Sequence, residues 1–313
     1  MIRIGIQSLN VIDDNNPLEG FDKLKRMGFD CCDFGLNGYL KNTSIYKADN
    51  NHFFDKSVDE LFTFFQKHKS AAEEAQIEIN QMHMPYPIYV PKGDNDLNSY
   101  LWNEVAPKSL EICHYFGCKN IVIHGIKLNS MLESEDNEWK KTEEFINSIL
   151  QKAYDYDITI CLENLYESIG GHLVEGPCCD INKTIDRIDS INSRCGKEIL
   201  GFCLDTGHAN IVGFDFSKNI KLLGKRLKVL HIHDNDGISD LHQIPYTFTR
   251  SRESVSTTDW NGFIAGLREI KFDGVLSFET APVLTSFPDD LKDDVLIFIN
   301  KIGQYLKQQI EMI

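Results

Sequence analysis

The feature that most constrains this chain is the stretch 199–234, where two apolar runs each end in acidic and imidazole side chains. The first reads ILGFCLDTGH and closes on Asp205 and His208. The second reads LKVLHIHD and closes on His231, His233 and Asp234. Short apolar runs bounded by turns are the pattern of strands buried on both faces, as in a parallel sheet. Ionisable groups at the carboxyl ends of such strands point to a site at the top of an α/β barrel.

The rest of the chain repeats the unit. Apolar runs predict strands at 2–6, 29–36, 77–82, 120–123, 158–162 and 274–278, besides the two above. Between them, helical periodicity marks 17–27, 58–75, 96–116, 137–154, 181–191 and 259–270, with a closing helix at 291–309. Gly28 and Gly117 stand where helices stop, and Asp180 stands where a helix N-cap belongs. Eight strand-then-helix units predict the α/β class, as one (β/α)8 TIM barrel spanning 1–313. No Pro/Gly/Ser-rich linker divides the chain, which predicts one domain. No GxGxxG follows the first strand, which argues against an open dinucleotide-binding sheet. The polar segments 37–56 and 236–258 are long enough to lie over a site and choose its substrate.

Charge and cysteines narrow the partners. Lys and Arg number 32 against 47 Asp and Glu, a net charge of −15, which disfavours a nucleic-acid backbone. No apolar run approaches the ~18 residues of a membrane span. The opening MIRIGIQS reads as a strand rather than a basic-apolar leader, so a cytoplasmic protein is expected. The nine cysteines form no CxxC pair, and Cys31-Cys32 and Cys178-Cys179 are adjacent, so reduced thiols are expected.

The strand ends carry the chemistry: His83, His124, Glu163, Asp205 with His208, His231 with His233, and Glu279. One such residue is uninformative. Six converging on one barrel face repel one another unless a cation compensates. Mixed imidazole and carboxylate donors suit Mn, Zn, Co or Fe better than Ca.

The sequence resembles the xylose isomerase-like barrel superfamily, which includes sugar isomerases, ketose 3-epimerases, inosose dehydratases and endonuclease IV. The motifs are LEN (162–164), LDTGH (204–208), HIHDND (231–236), Asp240-x-His242 and SFET (277–280). The resemblance implies one divalent metal (Mn, Zn, Co or Mg) held by Glu163, Asp205, His231 and Glu279. His231 and His233 lie two apart and share a strand face. The resemblance favours His231 as the ligand and His233 as a substrate contact, and the reverse order stays open. His208, His83 and His124 are assigned to substrate, and Asp240 with His242 to a possible second metal site.

The implied activity is sugar isomerisation or epimerisation, with Glu163 and Glu279 moving a proton beside a metal-polarised carbonyl. The implied substrate is a sugar or polyol derivative, and a homo-oligomer fits the relatives. Three alternatives stand: an inosose-type dehydratase, a non-catalytic metal-stabilised barrel, and an endonuclease IV-like three-zinc site. The last would add His83, His124, His208, Asp240 and His242, but the acidic charge opposes DNA. Tyr86 is placed to shape a sugar pocket. Arg250 and Arg252 are candidates for gripping an anion, although loop arginines are more often solvated. Trp102, Trp139 and Trp260 are expected to pack rather than to bind.

Overall fold

Eight parallel strands carry the architecture of this computed structural model, which describes residues 1–49, 51–128, 134–250 and 254–312. They are β1 (Arg3–Gln7), β2 (Cys31–Gly35), β3 (Glu78–His83), β4 (Asn120–His124), β5 (Thr159–Glu163), β6 (Leu200–Asp205), β7 (Leu227–His231) and β8 (Val275–Phe278). Each pairs with its neighbour in chain order, and β8 pairs with β1. Between β7 and β8 the barrel closes through Ile232, whose N–H donates to the Ser277 carbonyl at 2.8 Å. The Ile232 carbonyl in turn accepts from Glu279 N–H at 3.1 Å. The expected (β/α)8 TIM barrel is the observed fold.

The strands end later than the hydropathy predicts. Apolar runs expected to stop at 82, 123 and 162 extend to His83, His124 and Glu163. The ladder continues through these polar residues because they are themselves paired, His124 with Glu163 and Asp205 with His231. The candidate ligands therefore sit on rigid sheet rather than on loop.

Helices alternate with the strands as expected. Val58–Ala75 starts with a full capping box between Ser57 and Glu60. Asp180 accepts from Lys183 N–H at 3.1 Å, the predicted N-cap. The helix expected at 96–116 runs over 95–115 but widens into a π turn at Leu101–Val105. Pro107, just beyond, has no N–H to return to the previous turn, which disrupts the regular ladder there.

Segment 37–56 is more ordered than a polar loop. It contains the helix Asn42–Tyr46 and a turn at Phe53–Asp55, and Phe53 stacks on Tyr39 at 4.7 Å. After β5 the chain forms a hairpin, Tyr166–Ile169 against His172–Glu175. Gly170 and Gly171 both adopt positive φ at its tip, as a two-residue turn of this hand requires.

Helix residues such as Phe21, Leu61 and Phe263 pack with strand residues such as Ile4 and Phe278 in one continuous core. A separate buried layer, Val122, Cys161, Cys203 and Val229, fills the barrel interior. All nine cysteines are free thiols. Trp260 is buried, while Trp102 is half-buried and donates to the Ile88 carbonyl. Among the described residues no helix is long and apolar enough to cross a membrane.

Candidate metal-binding site

Strand side chains repeat every two residues on one face. Two positions beyond the interior layer Val122, Cys161, Cys203 and Val229 stand His124, Glu163, Asp205 and His231. The last residue of β3 adds His83, and the residue after β8 adds Glu279. The period that makes a barrel core thus also makes a ring of donors above it.

Glu163 is the centre of the ring. Its Oε2 lies 3.2 Å from both His83 Nε2 and His124 Nε2, and 3.6 Å from His231 Nδ1. Its Oε1 lies 3.2 Å from His208 Nδ1. Glu279 Oε2 is 3.4 Å from His231 Nδ1. On the far side, His208 Nε2 and His242 Nε2 reach the same Asp240 oxygen at 3.3 and 3.2 Å.

The strings around these donors have local reasons. Asn164 straps Asp205 in place, its Oδ1 accepting from Asp205 N–H and its amide donating to the Asp205 carbonyl. Asp205 Oδ1 then accepts from His208 N–H at 2.7 Å and starts the short helix Thr206–Ile211. Thr206 donates its hydroxyl to the His233 carbonyl at 2.6 Å. Gly207 has to be glycine, since a Cβ there would lie 2.0 Å from His233 Cε1. Asp234 accepts from the Thr258 hydroxyl and Thr247 N–H, so it ties down the β7–β8 loop.

A cavity of about 350 Å³ opens above the ring. His83, His124, Glu163, His208 and Glu279 line it, as do Asp240 and His242. Tyr46, Tyr86, Tyr89 and Tyr166 form aromatic wall, and Tyr86 stacks on His124 at 4.1 Å. Asp205 and His231 are fully buried beneath.

His233, the expected substrate contact, does not line the cavity, and its ring nitrogen lies within 4.8 Å of ligand atoms on His242 and Glu279. It is fully buried, and its Nε2 is 2.9 Å from Asp205 Oδ2. Just after β7, Asp234 pairs with Gln243 in an isolated antiparallel bridge. Arg250 is exposed on a two-stranded ladder and does not line the cavity. Arg252 lies outside the described residues.

Three contributors were not anticipated. Asp33 is buried in β2 with Oδ2 3.2 Å from His231 Nε2, and Gln81 donates to that oxygen at 3.0 Å. A carboxylate inside the apolar run Cys31-Cys32-Asp33-Phe34 was the available signal. Lys127 is the one Lys or Arg lining the cavity among the described residues. It donates to the Tyr166 carbonyl at 2.5 Å, and burial lowers its pKa.

The electrostatics favour a cation. Burial works to raise the Glu163 pKa, but the imidazoles of His124 and His231 hold it well below the usual range. Burial pushes His124 down to about 4. His242 rises to about 10 because Glu279 and Asp240 outweigh burial. Both His231 nitrogens and His233 Nδ1 are buried without an aligned hydrogen-bond partner. His231 Nδ1 faces two carboxylate oxygens, a donor set that a divalent ion satisfies. Trios including Asp205–His231–Glu279, Glu163–Asp205–His208 and His83–His124–Glu163 each bring their ligand atoms within 4.8 Å.

Comparison with known proteins follows the same lines. A D-psicose 3-epimerase solved in the presence of D-fructose superposes with a TM-score of 0.68 at 16% identity, covering 97% of this chain and 99% of that one. The inosose isomerase of Bacillus velezensis is 24% identical over 284 residues, 89% of this chain and 88% of its own length. An uncharacterised protein of Sinorhizobium fredii is 23% identical over 201 residues, 63% of this chain, and the match spans 60% of that relative's length. The sequence profile of the xylose isomerase-like TIM barrel family matches residues 21–299, nearly the whole barrel, and the chain belongs to that family.

Proposed function

We propose that the protein is a divalent-metal-dependent isomerase or epimerase acting on a sugar or polyol-derived ketone. The observation that carries this reading is the pairing of Glu163 and Glu279. Both line the cavity, and both reach His231 Nδ1, at 3.6 and 3.4 Å. Glu163, Asp205, His231 and Glu279 would hold the ion. When bound, it supplies Lewis-acid polarisation of a carbonyl, which acidifies the neighbouring C–H.

The chain's own groups then act on the proton. Glu163 and Glu279 take it from carbon and return it. Return to the opposite face of the same carbon epimerises; return to the adjacent carbon isomerises. His208, 3.2 Å from Glu163 Oε1, orients that carboxylate while Asp240 holds its other nitrogen. Tyr86 and Tyr166 present faces to sugar C–H surfaces, and Lys127 offers an ammonium to a substrate oxygen. The names of the psicose epimerase and inosose isomerase support a polyhydroxy ketone as substrate. An inosose-type dehydratase would use the same proton abstraction and differ only in expelling hydroxide.

The test is solvent deuterium incorporation into ketoses and inososes by protein reconstituted with Mn, Co, Mg or Zn. Metal-dependent exchange is expected on at least one of them. Absence of exchange with every pairing overturns the reading and leaves a binding barrel.

One observation favours a second reading. His83 and His124 both crowd Glu163 Oε2, and His208 and His242 share Asp240, so two further donor sets flank the first. Two or three zinc ions per chain by elemental analysis, with cleavage of abasic DNA, would establish a multinuclear hydrolytic site. The net charge of −15 and the single cavity lysine weigh against a DNA substrate.

A further inference from the structure

We infer that Lys127 determines specificity and that the substrate is a sugar acid, a polyhydroxy ketone whose carboxylate, at the end away from the reacting carbonyl, pairs with the Lys127 ammonium. This rests on the isomerase or epimerase reading above and names the substrate class of that site.

The cavity is unevenly charged. Glu163, Asp240 and Glu279 line it, and Lys127 is the one Lys or Arg that does so among the described residues. The Tyr166 ring connects the two kinds of wall. It stands 5.4 Å from the His208 ring, and Lys127 Nζ stands 5.3 Å from its centre. Lys127 is thus about one aromatic ring away from the contact of His208 with Glu163. Like charges repel at close range. A substrate anion is therefore driven off the three carboxylates and toward Lys127, which leaves the carbonyl end of the molecule for Glu163 and Glu279.

Lys127 is held in place for this. It follows β4 by three residues, and the backbone on either side of it is tied to the helix Glu135–Asp155. Ile126 N–H donates to the Thr142 hydroxyl at 2.9 Å, and Leu128 N–H donates to Glu138 Oε1 at 2.8 Å. The side chain then reaches the Tyr166 carbonyl at 2.5 Å.

That carbonyl does not neutralise it. An ammonium carries three donors and a full charge. One donor goes to a neutral oxygen, which leaves two and the charge. Burial lowers the Lys127 pKa, with Glu167 the carboxylate that opposes most. Glu167 closes no bond through its own buried Oε1, which has no hydrogen-bond partner. A desolvated charge without a counter-charge is costly, and a ligand that brings the counter-charge removes that cost.

The chemistry fits a carboxylate better than a phosphate. Phosphate sites gather several donors, from arginine forks and from backbone N–H groups at helix N-termini. Among the described residues no Arg lines this cavity, and the N–H groups of Ile126 and Leu128 are already spent on Thr142 and Glu138. One ammonium matches one monoanion.

The experiment compares substrates that differ at the terminal carbon: fructose with fructuronate, tagatose with tagaturonate, and fructose 6-phosphate. Manganese-loaded wild type, Lys127→Gln and Lys127→Met are each read by solvent deuterium exchange and by calorimetric binding. Lys127→Gln keeps a donor for the Tyr166 carbonyl and removes only the charge. Wild type is expected to favour at least one uronate over its parent ketose by about 10- to 100-fold in kcat/KM and in Kd, the worth of a hydrogen bond to a charged group. Both variants are expected to lose that preference. A preference that survives in the variants puts the carboxylate elsewhere, on the metal for instance, and overturns the inference. Equal handling of uronates and ketoses by wild type, or a stronger preference for the phosphate, overturns it too. Absence of exchange on every sugar overturns the isomerase reading instead. Calorimetry then decides the role of Lys127: uronate binding that Lys127→Gln weakens supports it, and binding that the variant leaves unchanged, or none at all, overturns it.

Discussion

Among the described residues, the acid–imidazole cluster around His68 and the one around Glu163 differ in one respect. In the first, His68 is fully buried with Nε2 2.8 Å from Asp14 Oδ1, and the same oxygen accepts the Tyr39 hydroxyl at 2.7 Å. Rings of Phe34, Phe64 and Phe65 stand 5.6 to 5.9 Å from the imidazole. Asp14 is half exposed, so water takes its remaining charge. One acid meets two donors, and the result is a tie between the β1 loop and the helix Val58–Ala75. In the second cluster, Glu163, Asp205, Asp240 and Glu279 converge with six imidazoles beside or beneath the cavity. Carboxylate oxygens there outnumber the imidazoles that could donate to them one proton each. A buried His–Asp contact alone does not mark a site. Several carboxylates and imidazoles with their ligand atoms within 4.8 Å of one another beside a cavity do.

The largest test of that contrast is removal of the central carboxylate. Glu163→Gln is expected to lower deuterium exchange by about 10²–10⁴-fold, the usual worth of a positioned acid or base. His68→Leu, which cuts the other cluster, is expected to leave exchange nearly unchanged, since His68 does not line the cavity. Comparable losses in both variants, by initial rates of exchange, would erase the distinction drawn between the clusters.

A smaller effect probes how tightly the second cluster is packed. Gly207→Ala puts a methyl 2.0 Å from His233 Cε1, so either the imidazole or the short helix must move. Overpacking of this kind costs about 1–3 kcal/mol. Chemical denaturation should show that loss together with weaker metal uptake, because His233 supports Asp205. An unchanged unfolding midpoint would mean the ring of donors is looser than its contacts imply.

Much of this was legible in the sequence, and the failures have physical causes. The eight strands followed from hydropathy because a barrel strand is buried on both faces. The runs ended early because the last ladder residue of β3 to β7 is itself a His, Asp or Glu. Glu163, Asp205 and His231 were gathered as the ends of successive barrel strands, which share one face of such a fold. His233, two residues on, contacts Asp205 at 2.9 Å and stacks on His242, so it joins the same donors. Asp33 showed in the sequence only as a carboxylate inside an apolar run, because its neighbour His231 comes from five strands later, across the barrel. Lys127 follows β4 in a segment without periodicity, where only the fold shows that it borders the cavity.

The smallest expected effect is the pH response of the first cluster. Burial is the largest influence on His68 and lowers its pKa from the ordinary 6.5, with Asp14 partly opposing and Lys67 adding slightly to the lowering. The unfolded chain therefore takes up this proton before the folded one does as pH falls. Stability from His68 is present in full above 6.5, is lost progressively below it, and levels off under the depressed folded value. His68→Leu lacks this titration, while the ring of donors is the same in both proteins. Unfolding free energies from denaturant melts at pH 7.5, 6.5 and 5.5 should thus fall more steeply for wild type than for His68→Leu. Equal slopes would show that Asp14 holds the imidazole as readily charged as water does. A steeper fall in the variant would mean that Asp14 dominates, and that the tie is an ion pair rather than a neutral contact within an aromatic cluster.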